Sequence, residues 1–96
     1  MIRVLVADHQ PIVSYGIRML FDNSKDIKVV NTTNSGKQLL DYLKKTTIDI
    51  VLMTLDLPDI NGITLLRSIK KEFNDVSVII FSTHPEDIYA ISAIKA

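Results

Sequence analysis

The sequence predicts an α/β fold, a doubly wound parallel sheet, on three observations. Short β-branched runs alternate with stretches of helical spacing along all 96 residues. Two of those runs, 2–7 and 76–81, are almost continuously apolar, as strands covered on both faces are. The strand–helix repeat also has the length of a right-handed βαβ crossover. The chain length supports one domain, and neither a linker nor an internal repeat interrupts it.

Strands are expected at 2–7, 27–31, 49–53 and 76–81. The first helix is expected at 11–21, with Val13, Ile17, Leu20 and Phe21 on one face. Pro11 suits its first turn, where a missing N–H costs nothing. The second helix spans 35–45; Ser35 and Gln38 form a capping box, and Leu39, Leu40 and Leu43 form the buried stripe. The third spans 62–73, with Ile63, Leu66, Ile69 or Lys70, and Phe73 in register. A fourth begins near Pro85, with Thr83 and Glu86 as its cap and Ile88, Ile91 and Ile94 as its apolar stripe.

Composition narrows the function classes. Apolar residues make up 47% and charged residues 23%, as in ordinary globular domains and unlike disordered chains. No cysteine is present, which removes disulfides, thiolate zinc sites and cysteine nucleophiles. Eleven basic residues balance eleven acidic ones, where a binder of phosphate backbones needs a basic excess. No apolar run approaches the roughly 20 residues of a spanning helix, and no secretory leader is legible. A cytoplasmic address is the expectation.

In an open α/β sheet, ligands bind beyond the carboxyl ends of the strands. The candidates there are Asp8, His9 and Gln10 after the first strand, Thr54 through Asp59 after the third, and Ser82, Thr83 and His84 after the fourth. Asp8 stands out, because an acid directly after an apolar strand reaches the crest or suffers a costly desolvation. Two readings of it stand side by side: a site residue, or a cap for the helix that starts near Pro11. His9 and His84 lack the partners of a closed zinc site and read as solvated loop residues. Thr32, Thr33 and Ser35 precede a helix, as a phosphate cradle does, but the bland reading as caps is the better one. The lysine pairs 44–45 and 70–71 end helices, where cations suit the dipole.

Three ordered motifs resemble the response-regulator receiver domain of bacterial two-component signalling. The first is Val4-Leu5-Val6-Ala7-Asp8-His9-Gln10-Pro11-Ile12-Val13, similar to the opening of the subclass with a LuxR-type helix-turn-helix output domain. The second is Asp49-Ile50-Val51-Leu52-Met53-Thr54-Leu55-Asp56-Leu57-Pro58-Asp59-Ile60-Asn61-Gly62, similar to the phosphoacceptor strand and the loop after it. The third is Val78-Ile79-Ile80-Phe81-Ser82-Thr83-His84, similar to the fourth-strand end with its switch hydroxyl. The resemblance implies a flavodoxin-like, CheY-like sheet in strand order 2-1-3-4-5. It implies regulation rather than enzymatic turnover, a sensor histidine kinase as partner, and Mg²⁺ beside the acceptor. It also implies a homodimer, and DNA contact only through a C-terminal domain.

The site residues depart from that pattern. By spacing to Pro58 and Gly62 the acceptor position is Thr54, whose hydroxyl cannot form an acyl phosphate. Asp8 holds the place of the first acid, His9 that of the second, and Ser82 that of the switch hydroxyl. Asp56 sits where a backbone carbonyl reaches the metal, and its side chain adds an acid. One or two carboxylates make a poor Mg²⁺ site, since Mg²⁺ dehydrates reluctantly. The expectation is therefore a receiver-like domain, degenerate at its phosphorylation site, that controls a transcriptional output domain. Its rivals are an ordinary phosphorylated receiver with an engineered threonine at the acceptor position, and a small-ligand or metal-dependent enzyme using the same crest. By element count the fifth strand and helix are missing, so 76–81 is expected to be an open edge, covered by further chain or by a second copy.

Overall fold

A computed structural model describes residues 1–81 and the short strand at 93–94. Its elements run β1(Ile2–Ala7), α1(Pro11–Leu20), β2(Ile27–Thr33), α2(Gly36–Lys45), β3(Ile50–Met53), α3(Gly62–Glu72), β4(Ser77–Ile80) and β5(Ala93–Ile94). Four parallel strands lie in the order β2-β1-β3-β4, as the alternating pattern predicts. The chain leaves β1 for one edge, then returns past it to β3. Right-handed crossovers therefore put α1 on one face and α2 and α3 on the other.

The side chains of Leu5, Ala7, Val51, Met53, Val78 and Ile80 project from the α2/α3 face. They pack against Leu39 and Leu43 of α2 and Leu65, Leu66 and Ile69 of α3 to form the core. Leu65 replaces Ile63 in the predicted stripe, and Ile63 is exposed. Leu40 is half-buried at the core's edge. Among the described residues the opposite face is thinly covered. β1 is buried on both faces, but β4 alternates: Val78 and Ile80 are buried, and Ser77 and Ile79 are half-buried. In α1, Val13 and Ile17 are half-buried and only Ser14 is buried, and Phe21 just past its end is half-buried. Leu20, predicted inward, is 79% exposed because the last turn projects where no described residue covers it.

β2 extends two residues beyond its predicted end, so Thr32 and Thr33 belong to a strand. Its register with β1 shifts between Val4 and Leu5, where Val30 is passed over. Of the predicted fourth helix, Thr83, Pro85, Glu86, Ile88 and Ile91 lie outside the described residues, as do Ser82 and His84. Ile94 is not helical. It pairs antiparallel with Val78 in β4, and Ala93 pairs with Ile79. The exposed N–H and C=O groups of an apolar strand edge make a ready template for pairing. The chain's own residues thus occupy part of the edge expected to be open.

Candidate functional site

The candidate residues meet at the carboxyl ends of β1 and β3, which are direct neighbours: Ala7 pairs with Met53. The ladder continues one step past each strand. The Asp8 N–H donates to the Thr33 carbonyl (3.0 Å), and the Thr54 N–H to the Ala7 carbonyl (3.1 Å). Asp8 and Thr54 are therefore held side by side, 4% and 7% exposed. The Phe81 N–H donates to the Met53 carbonyl (3.0 Å), which brings the fourth strand's end to the same crest.

Asp8 is fixed by a local turn. Its Oδ1 accepts the Gln10 N–H at 2.6 Å. Gln10 is the N-cap residue of α1, and no side chain caps that helix. Of the two readings of Asp8, the cap fails: its carboxylate pins the loop ahead of the helix. His9 is exposed, with Nδ1 3.8 Å from Asp8 Oδ1. The Thr54 hydroxyl oxygen accepts the Asp56 N–H at 3.2 Å and so tightens the turn out of β3. Asp56 is exposed.

The polar loop after β2 takes the capping role. Ser35 Oγ accepts the Gln38 N–H (3.2 Å), and Gln38 Oε1 accepts the Asn34 N–H (3.0 Å). A residue the motif reading passed over finishes this cap. Asp59 Oδ1 accepts the Gly36 N–H (2.8 Å), and Oδ2 accepts the Lys37 N–H (3.0 Å). Those bonds hold the Asp59 carboxyl below its ordinary pKa. The α2 N-terminus thus already carries an anion from its own chain, on the N–H groups that a phosphate cradle would offer. Nothing local in sequence pairs Asp59 with Gly36; only the tertiary approach of the two loops does. Thr33 Oγ1 is used up as well, donating to the Val6 carbonyl at 3.2 Å.

An open cleft of about 630 Å³ lies between α1 and the end of β2, walled by Asp8, Tyr15, Arg18, Thr32 and Gln38 among others. It adjoins the crest without including Thr54.

The comparisons with known proteins decide the family. The model of the response regulator receiver domain matches residues 4–96. The chain belongs to that family. Among receiver-containing relatives, the Fimbriae Z protein of Escherichia coli K12 is 32% identical over 93 residues, 97% of this chain and 44% of that protein. The non-phosphorylated receiver domain of the stress response regulator RcsB from Escherichia coli superposes with a TM-score of 0.82 at 30% identity, covering 93% of this chain and 72% of that one. A structure of two RcsB dimers bound to two parallel DNAs matches with a TM-score of 0.79 at 30% identity, covering 83% of this chain and 42% of that one. This receiver chain therefore spans less than half the length of the first curated relatives it matches. Response regulators are signalling and transcription regulators rather than enzymes.

Receiver domains typically bind Mg²⁺ at the phosphorylation site, and the residues of this receiver fit that ion poorly. At the β1 and β3 ends the buried donors are one carboxylate and one hydroxyl, and the hydroxyl is engaged with the Asp56 N–H. Mg²⁺ requires near-octahedral oxygen ligation and favours carboxylates. Among the described residues no group of three or more His, Cys, Asp or Glu is placed to hold a metal. No described helix is long and apolar enough to cross a membrane.

Proposed function

We propose that this receiver is the regulatory module of a transcriptional response regulator and works without an acyl phosphate at the end of β3. The supporting observation is Thr54 itself. It closes β3 beside Asp8, is buried, and uses its hydroxyl to hold the turn. A hydroxyl gives a phosphate ester rather than the labile acyl phosphate through which receivers exchange phosphoryl groups, and it brings no charge to a metal. Asp8 and Asp56 are the acids left to bind Mg²⁺, and both would do so weakly.

The relatives support the rest of the same proposal. The module acts in the cytoplasm and recognises a sensor histidine kinase. It pairs with a second copy, and DNA is reached through a C-terminal domain. The switch hydroxyl is assigned to Ser82.

The test is incubation with Mg²⁺ and acetyl phosphate, read by intact mass. No gain is expected. One added phosphoryl group mapped to Asp8, Asp56 or Thr54 overturns the proposal. Thr54→Asp alone, with His9 in place, is expected to stay unmodified. Rapid phosphorylation at residue 54 in that variant would instead favour an ordinary receiver altered at a single residue.

A further inference from the structure

We propose that the cleft between α1 and the end of β2 binds a small zwitterion of dipeptide size, its ammonium held by Asp8 and its carboxylate by Arg18. The inference goes beyond the signalling reading above and does not depend on it. The cleft encloses about 630 Å³, within the range of small-molecule sites. Pro11, Tyr15 and Arg18, at i, i+4 and i+7, line it from one side of α1. Pro11, Ile12 and the Tyr15 ring give it an apolar wall. Asp8 and Arg18 are the charged residues among the described ones that line it.

Asp8 is the observation that points to a ligand. A buried carboxylate needs hydrogen-bond partners, and Asp8 is 4% exposed. Its Oδ1 accepts the Gln10 N–H, whereas Oδ2 accepts no hydrogen bond from a described residue. No described side chain holds a sealed polar atom without a partner, so Oδ2 keeps an opening. The cleft that Asp8 lines is where that oxygen meets a donor from outside the chain. A primary ammonium brings three donors, one for Oδ2 and the others for the oxygens of Thr32 and Asn34 nearby.

Arg18 supplies the opposite pole. It is exposed and forms no ion pair among the described residues, although Asp22 follows one turn later. A guanidinium presents a planar fork that matches a carboxylate. A ligand carrying only an anion would meet Asp8 as a like charge, and one carrying only a cation would meet Arg18 so. Two poles of opposite sign on the ligand satisfy both. Pro11 and Arg18 lie two turns apart on α1, about 10 Å along its axis. That span suits charged groups on separate residues, as in a dipeptide, better than two groups on one carbon. The apolar wall between the poles fits aliphatic side chains.

The probe is the dipeptide Leu-Leu, titrated into the 96-residue chain by calorimetry and by amide NMR shifts, with far-UV circular dichroism as the folding control. Leu-Leu is expected to bind with a submillimolar dissociation constant and to shift amides of the cleft residues. N-acetyl-Leu-Leu, which lacks the ammonium, and Leu-Leu amide, which lacks the carboxylate, should each bind at least about tenfold more weakly. Arg18→Gln should weaken Leu-Leu by about tenfold or more without weakening Leu-Leu amide, and Asp8→Asn should weaken Leu-Leu without weakening N-acetyl-Leu-Leu. Should Asp8→Asn fail to fold, Arg18→Gln, at an exposed side chain, decides the test with the two blocked peptides. No binding of Leu-Leu at about 10 mM overturns the proposal. So does equal binding of the blocked peptides, an Arg18→Gln loss that is the same for Leu-Leu and its amide, or shifts centred away from the cleft.

Discussion

Asp59 offers the sharpest stability measurement, because one exposed side chain ties two loops together. Replacing it with alanine removes both carboxylate bonds to the first turn of α2, at 2.8 and 3.0 Å. Loss of an N-terminal cap costs about 0.5–2 kcal/mol, and an anion at a helix N-terminus adds about 0.3–1 kcal/mol. Asp59 is exposed, so water screens its charge and the lower part of each range applies, about 1 kcal/mol in all. For a domain of this size that lowers the melting temperature by about 4–8 °C. Asp59→Asn keeps one acceptor oxygen and should lose about half as much. The pH dependence has a fixed sign. The folded-state pKa is lowered below its ordinary value of 3.8, so the contribution is fully present above that value and is lost as pH falls through the folded pKa. Urea unfolding of the wild type, Asp59→Ala and Asp59→Asn at neutral pH and at about pH 2 provides the assay. The three curves should separate at neutral pH, and the gap between wild type and Asp59→Asn should close in acid. Equal stability at neutral pH, or an Asn gap that persists unchanged in acid, would refute the assignment of the cap to the carboxylate.

Thr54→Asp should lower stability at neutral pH by about 1–3 kcal/mol, since two carboxylates about 6 Å apart on adjacent strands repel by roughly that much at an effective dielectric of about 20. That penalty should fade on acidification as the pair protonates, and a stabilised variant in metal-free buffer would show that residue 54 does not face Asp8. The wild type should show no stoichiometric Mg²⁺ binding in a calorimetric titration. The double variant His9→Asp, Thr54→Asp should bind measurably more tightly; an unchanged isotherm would mean that these positions do not converge on one ion. Gly62→Ala should cost about 2–3 kcal/mol, because its methyl would press on the Leu55 backbone. A melt within a degree of wild type would show that the loop yields freely.

The α/β class, the four parallel strands, the three described helices and the Ser35–Gln38 cap were all legible in the amino-acid pattern. All of these are local: they depend on periodicity, β-branching and turn chemistry that neighbouring residues carry together. It also placed Asp8 and Thr54 at strand ends, since an apolar run that stops at a polar residue marks the crest. What needed the tertiary structure is what depends on which segments meet. Leu65 displaced Ile63 from the core because the sheet, not the helix pattern, chooses the buried side of α3. Asp59 became a cap because the loop after β3 passes over the start of α2. The cap reading of Asp8 fell because its carboxylate bonds the Gln10 N–H ahead of the helix rather than an N–H of the helix itself. Ile94 continues a helical pattern in sequence, yet it pairs with Val78, because an unpaired strand edge outweighs a weak local preference. Local propensity is worth tenths of a kcal/mol per residue, whereas burial and backbone pairing decide among alternatives that differ by more.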